Sequence, residues 1–203
     1  TIDDVVDVIR DEADDSVLNM AGLNKEDDIF APIIQSTKRR TLWLGANLIT
    51  AILAAAAIGI FEATIEKIVT LAILMPIVAS MGGIAGMQSL ALVIRSQATN
   101  QIGSSNSKLL ILKESAIGVL NGILWSSVVS IAVYLWFDSI FLGVVIAVAL
   151  LVNLIIGAIS GVTLPLILKK LNIDPAIAGG VILTTITDIV GFISLLGVAT
   201  LIM

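Results

Sequence analysis

The sequence ends in an apolar run, Ala176–Met203, which reads AIAGGVILTTITDIVGFISLLGVATLIM and carries Asp188 as its one charged residue. At about 1.5 Å per residue, a helix over this run is longer than the roughly 30 Å hydrocarbon core of a membrane. A carboxylate near the middle of such a helix is expensive to insert, so it usually faces a bundle interior or a water-filled path. The run therefore predicts a transmembrane helix that carries a functional acid.

The residues that share a helix face with Asp188 indicate which kind of ligand that face suits. Gly180, Thr184, Asp188 and Gly191 follow a helical spacing and share one face, and that face is small, polar and anionic. Such a face suits a hydrated cation. The alternative is a structural aspartate that is hydrogen-bonded to a neighbouring helix.

The composition places the whole chain in a membrane. Of its residues 58% are hydrophobic and 13% are charged, which is typical of an integral membrane protein. The chain has no cysteine and no histidine, so it lacks thiolate metal sites, a Cys nucleophile and Ser-His-Asp chemistry. We do not expect an enzyme, and we expect membrane lipid rather than nucleic acid as a partner.

Acidic residues are concentrated at the N-terminus. Residues 1–28 hold ten acids and two bases, and residues 1–23 read as an amphipathic cytoplasmic helix with Gly22 as its stop. One broad stripe of this helix is acidic, and a divalent ion bound there would change how the helix packs; the alternative is a solvated helix face. The stripe consists of Asp4, Asp7, Glu12 and Asp15.

The chain divides into an acidic helix with its linker, residues 1–41, and a membrane domain, residues 42–203. The basic triplet Lys38-Arg39-Arg40 marks a cytoplasmic flank directly before the first apolar run. The chain begins at Thr1 without an initiator Met, and no basic region precedes a short apolar run as in a signal peptide. We therefore expect a C-terminal piece of a longer protein.

The fold class expected is an all-α membrane protein with five transmembrane helices. The second span contains Pro76 and the glycine-rich stretch SMGGIAGMQS, residues 80–89. It predicts either a broken helix that lines an ion site or close helix packing through Gly82-x-x-x-Gly86, and both can hold. The spans predicted are Leu42–Phe61, Ile68–Ile94, Leu109–Phe137, Ile140–Leu168 and Ala176–Met203.

The distribution of basic residues predicts the orientation. With the N-terminus inside the cell, the outer flanks carry only Lys67, which favours a cytoplasmic N-terminus and an external C-terminus. We expect a multi-pass protein of the cell (inner) membrane. The cytoplasmic flanks would then carry Lys38, Arg39, Arg40, Arg95, Lys108, Lys113, Lys169 and Lys170.

A single Asp188 is a poor site for a divalent cation. Two chains around a two-fold axis would place two such carboxylates across a shared pore, and two negative charges match a divalent ion. Mg²⁺ keeps several waters and uses one or two carboxylates, whereas softer metals prefer thiolate or imidazole ligands that this chain lacks. The residues alone favour a divalent cation path in a homodimer.

Three parts of the chain resemble the MgtE-type family of magnesium channels. Residues 75–78 and 81–89, MPIV and MGGIAGMQS, are similar to the signature of its second helix. Residues 174–176 and 184–192, DPA and TTITDIVGF, are similar to its last helix. Residues 1–9, TIDDVVDVI, resemble the exit of the second CBS domain into the connecting plug helix. Ile84 stands where the family usually has asparagine.

The resemblance implies a passive, homodimeric Mg²⁺ channel with the pore at the dimer interface. Asp188 would be the central pore carboxylate, the main-chain carbonyl of Thr184 would lie nearby, and Asp174 would bind regulatory Mg²⁺ on the cytoplasmic side. Intracellular Mg²⁺ bound by Asp4, Asp7, Glu12 and Asp15 would bridge this helix to N-terminal cytoplasmic regulatory domains of the CBS type and so close the channel. Most of that regulatory region is absent from this chain. The helices expected to line the pore contribute Gly82, Gly83, Gly86, Gln88, Gly180 and Gly191.

Two alternatives stay open. The first is a transporter of another divalent cation, such as Mn²⁺ or Co²⁺. The second is a non-conducting membrane anchor for an N-terminal domain, in which case replacing Asp188 would leave ion flux unchanged.

Overall fold

The protein is described by a computed structural model over residues 11, 15, 17–23, 30–99 and 107–203, and these residues form helices and turns without a strand. Five of the helices are long and apolar enough to cross a membrane, which confirms the all-α expectation with five spans. In chain order the helices are α1 (Ile33–Gly59), α2 (Glu62–Lys67, short), α3 (Thr70–Ala98), α4 (Ser107–Phe137), α5 (Ile140–Lys170) and α6 (Pro175–Ile202).

Two helices differ from the expected ones. Helix α1 begins at Ile33, so residues 33–41 are helical and continue directly into the first apolar run. No glycine or proline lies between Pro32 and Gly45, and Lys and Arg are good helix formers, so the helix starts directly after that proline. Helix α3 is continuous through Pro76 and the paired glycines, so the break considered for the second span is not present.

Helix α5 is the centre of the bundle. Its buried residues lie on several sides, and α3, α4 and α6 all pack against it, while α1 packs on α6. The main core is aliphatic and joins α3, α5 and α6. Its fully buried side chains include Leu71, Leu74, Val78, Val145, Ile146, Leu150, Leu195 and Leu196.

Glycines set the distance between α5 and its neighbours. A Cβ at Gly157 would come within 2.7 Å of the Gly82 carbonyl oxygen, and a Cβ at Gly118 would come within 2.7 Å of the Ala158 Cβ. The small residues therefore let backbones approach closely, as expected for small residues repeated every fourth position in membrane helices. The close packing expected through Gly82-x-x-x-Gly86 is confirmed, since Gly82 lies against Asn153 and Gly86 lies against Gly157 and Leu183.

The start of α6 is fixed by a capping residue. Asp174 is the N-cap, and its Oδ1 accepts a hydrogen bond from the Ala176 N–H at 2.8 Å. Pro175 follows as the first helical residue, where its missing N–H has no partner to lose. At the opposite end of α6 the hydroxyls of Thr200 and Thr64 lie 2.7 Å apart, which ties α2 to the last turns of the bundle.

Candidate ion-binding cavity

An open cavity of about 650 Å³ lies between α3 and α6. Most of its wall comes from one face of α3, and α6 contributes a carboxylate and a hydroxyl. The residues that line it are Met20, Ala79, Ser80, Gly83, Ile84, Met87, Gln88, Ala91, Thr184 and Asp188.

The cavity face of α3 is the side that α5 leaves uncovered. Ser80, Ile84 and Gln88 recur every fourth residue and are exposed. Gly82 and Gly86, on the other side of the helix, are buried against α5 and α6. Because neighbouring helical residues point about 100° apart, Gly82 faces the bundle while Gly83 faces the cavity.

Asp188 supplies the charge of this cavity. Its side chain is partly exposed, and no side chain among the described residues donates a hydrogen bond to its carboxylate. The described part of the chain contains no group of three or more acidic residues that could hold a metal ion. The cavity wall of one chain therefore offers a single carboxylate, Asp188, together with the hydroxyls of Ser80 and Thr184 and the amide of Gln88.

The threonines before Asp188 hydrogen-bond to their own helix. Thr184 Oγ1 donates to the Gly180 and Val181 carbonyls at 3.1 Å, and Thr187 Oγ1 donates to the Thr184 carbonyl at 3.0 Å. Their hydroxyl protons are thus committed to the backbone, and the oxygen lone pairs remain able to accept hydrogen bonds from water. The Thr184 carbonyl expected near the ion path accepts the Thr187 hydroxyl in this structure.

The glycines expected to line a pore have different positions. Gly83 lies on the cavity wall together with Gln88. Gly82, Gly86 and Gly191 lie in helix packing contacts instead, since an added Cβ at each would crowd a neighbouring helix. Gly180 is partly exposed, and a Cβ there would lie 3.8 Å from the Met87 side chain that lines the cavity.

The N-terminal segment, residues 17–23, reaches one end of the cavity. Its helical part ends at Met20, and Gly22 in the turn that follows has a φ of 71°, as expected for a glycine helix stop. Met20 lines the cavity and packs against the small cluster around Leu90 and Leu183. Asn19 Nδ2 donates to Asp174 Oδ2 at 3.3 Å, so this segment contacts the start of α6.

The predicted regulatory acids are only partly visible. Asp4, Asp7 and Glu12 lie outside the described residues, and Asp15 is helical and partly buried. Asp174 is exposed and caps α6 beside a second cavity of about 480 Å³, whose wall also includes Lys169 and Gln97. The regulatory role of these acids stays a prediction.

Two buried polar residues had no role assigned to them from the sequence. Asn153 of α5 is fully buried and donates to the Val78 carbonyl at 2.8 Å. Glu114 of α4 is only 7% exposed, and its Oε2 accepts the Ser89 hydroxyl at 2.8 Å. The signal available in the sequence was a lone amide and a lone carboxylate within otherwise apolar spans.

These features define a helical membrane protein that crosses the bilayer several times and has an acid-bearing cavity between two of its spans. A family model, MgtE, described as a divalent cation transporter, matches residues 75–198. The chain belongs to the MgtE family.

Three curated relatives match nearly the whole chain, and each is named magnesium transporter MgtE. Identity is 35% over 98% of this chain for the Bacillus subtilis relative, 31% over all of it for that of Enterococcus faecalis, and 28% over all of it for that of Thermus thermophilus. The chain spans less than half the length of these relatives, 44% to 45%.

Proposed function

We propose that this chain forms a passive path for Mg²⁺ across the cell membrane, with Asp188 as the residue that holds the ion. The observation that carries the proposal is a carboxylate within a membrane span that faces an open cavity. No side chain among the described residues donates a hydrogen bond to it. The relatives' name, magnesium transporter, supports the choice of ion.

The size of the cavity agrees with a hydrated ion. Mg²⁺ prefers an octahedral shell and gives up its waters reluctantly. Six waters at about 30 Å³ each need roughly 180 Å³, which is well below the 650 Å³ between α3 and α6. Asp188 would then attract the ion, while Ser80, Gln88 and Thr184 accept hydrogen bonds from its waters.

The path would be completed by a second copy of the chain. One carboxylate balances half of the charge of Mg²⁺, and the cavity is open on one side. A homodimer with the two-fold axis beside α3 and α6 would pair the two Asp188 side chains and close the pore. The N-terminus would be cytoplasmic and the C-terminus external, as the basic flanks indicate.

Closure by intracellular Mg²⁺ belongs to the same proposal. Met20 lies at one end of the cavity, and the acidic residues Asp4, Asp7, Glu12 and Asp15 precede it in the chain. Mg²⁺ between these acids and CBS-type domains of the longer protein would hold the N-terminal segment at the cavity. Asp174, which accepts the hydrogen bond from Asn19, would contribute to the same regulatory site.

Mg²⁺ uptake into proteoliposomes tests the ion path. Asp188→Asn removes the charge at nearly constant size, so flux or Mg²⁺ preference should fall steeply. Asp138→Asn is the matched control, since Asp138 is an exposed turn residue between α4 and α5 whose φ of 50° asparagine also tolerates. Equal flux from wild type and Asp188→Asn would place the ion path elsewhere.

The second candidate is transport of another divalent cation. The family description names divalent cations without specifying magnesium, and two thioethers, Met20 and Met87, line the cavity. Competition of Mn²⁺ and Co²⁺ with Mg²⁺ uptake separates the two. An absence of flux for all three ions in the natural full-length protein would favour the non-conducting anchor.

A further inference from the structure

Asn153 is a buried polar residue that the proposed ion path does not use. It is fully buried in α5, its Nδ2 donates to the Val78 carbonyl, and its Oδ1 has no hydrogen-bond partner among the residues that the structure describes. A buried amide that lacks one partner carries a desolvation cost of about 1–3 kcal/mol. The hydrogen bond to Val78 fixes the orientation of the amide in this part of the core.

The surroundings of the amide are two glycines on two different helices. A Cβ at Gly82 of α3 would overlap the Asn153 amide, and a Cβ at Gly191 of α6 would lie 2.8 Å from its Nδ2. The amide therefore occupies a gap that exists only because both neighbours lack side chains. It touches α3 and α6 together, and these are the helices that border the cavity.

Both contacts lie close to the cavity residues. Gly82 directly precedes Gly83, which is on the cavity wall, and Gly191 follows Asp188 by less than one helical turn. A Cβ at Gly83 would lie 3.8 Å from the Thr187 hydroxyl, so α3 and α6 face each other at this level. A change in the spacing at Asn153 would therefore move Asp188 relative to the α3 wall.

We propose that Asn153 is a positioning residue for ion binding: its amide fills the space between Gly82 and Gly191 and sets the separation of α3 and α6 at the level of Asp188. The inference rests on the proposed function of Asp188. Asn153 does not line the cavity, so it acts on the ion only through the two helices.

The test measures Mg²⁺ uptake by the natural protein in proteoliposomes as a function of Mg²⁺ concentration. Asn153→Ala should raise the apparent KM for Mg²⁺ roughly tenfold and change the Mg²⁺-to-Mn²⁺ preference, because small displacements of a binding group have large effects. Ser130→Ala is the matched control. It removes another 2.8 Å hydrogen bond from a side chain to a backbone carbonyl, but it joins α4 to α5 at Gly143, away from the cavity.

A double variant that removes volume at Asn153 and adds volume at Gly82 separates a positioning role from a general effect on stability. In Asn153→Ala/Gly82→Ala the added methyl group occupies part of the volume that the amide leaves, so KM and ion preference should return toward wild type. Gly82→Ala alone should be more defective than the double variant, since its methyl group meets the intact amide. If Asn153→Ala does not fold, Gly191→Ala perturbs the same contact from α6 and should produce the same shift.

The outcomes distinguish this inference from the ion path itself. A normal KM and ion preference in Asn153→Ala, beside a defective Asp188→Asn, would overturn the positioning role alone. A double variant that stays as defective as Asn153→Ala would also overturn it, because spacing would not be the cause. Unchanged flux in Asp188→Asn would overturn the proposed ion path instead.

Discussion

The close contact between α3 and α5 predicts that replacing glycine with alanine lowers the stability of the protein at Gly161 and slightly raises it at Gly45 of α1. A Cβ at Gly161 would overlap the Gly86 carbonyl oxygen and lie 2.8 Å from the Ser89 Cβ and 3.1 Å from the Leu90 backbone nitrogen. Two of these three atoms belong to backbone, which cannot move aside by changing rotamer. Gly161→Ala must separate the helices, and overpacking of this kind costs about 1–3 kcal/mol.

Gly45→Ala provides the control, since a Cβ there meets nothing within 4 Å. In a helix, alanine is favoured over glycine by about 0.5–1 kcal/mol, so this variant should be slightly more stable than wild type.

Thermal unfolding in detergent, followed by tryptophan fluorescence, measures the difference. For a chain of this size each kcal/mol shifts Tm by about 2–4 °C, so Gly161→Ala should melt roughly 2–12 °C below wild type. A Gly161→Ala protein as stable as Gly45→Ala would refute the close approach of α3 and α5.

Three further predictions concern charge and polarity. Ser89→Ala removes the hydroxyl that donates to the buried Glu114 carboxylate, and it should lower the unfolding free energy by about 1–3 kcal/mol in the same melting assay. Because a carboxylate must lose its proton to bind a metal, the apparent Mg²⁺ affinity at Asp188 should weaken from neutral to mildly acidic pH in uptake assays. Ile84→Asn replaces an exposed apolar residue of the cavity wall with an amide, so it should increase Mg²⁺ flux at limiting Mg²⁺ concentration.

Local features of the fold were predictable from the sequence. The five spans follow from apolar runs of membrane length, and the start of α6 follows from Asp174 and Pro175, which act within one helical turn. The small residues Gly82 and Gly86 were also correctly interpreted as a packing pair. Each of these signals depends only on neighbours in the chain.

Features that depend on tertiary contacts were harder to predict. Helix α3 stays continuous at Gly82 and Gly83 because α5 and α6 pack against its glycines, and the sequence does not reveal which neighbour fills a gap. The same holds for Asn153, whose partners on α3 and α6 are distant in sequence. Of the cavity residues, Asp188, Thr184, Gly83 and Gln88 were named from the sequence, whereas Met20 was not.

The turn at Gly22 gives the protein an intrinsic optical reporter. A side chain at this position would collide with the Trp43 ring, so the indole lies directly over the glycine backbone. Undocking of residues 17–23 would expose this face of the indole to solvent and shift its emission toward longer wavelengths. The other two tryptophans, Trp125 and Trp136, belong to α4, so replacing both with phenylalanine would leave a spectrum that follows the N-terminal segment alone.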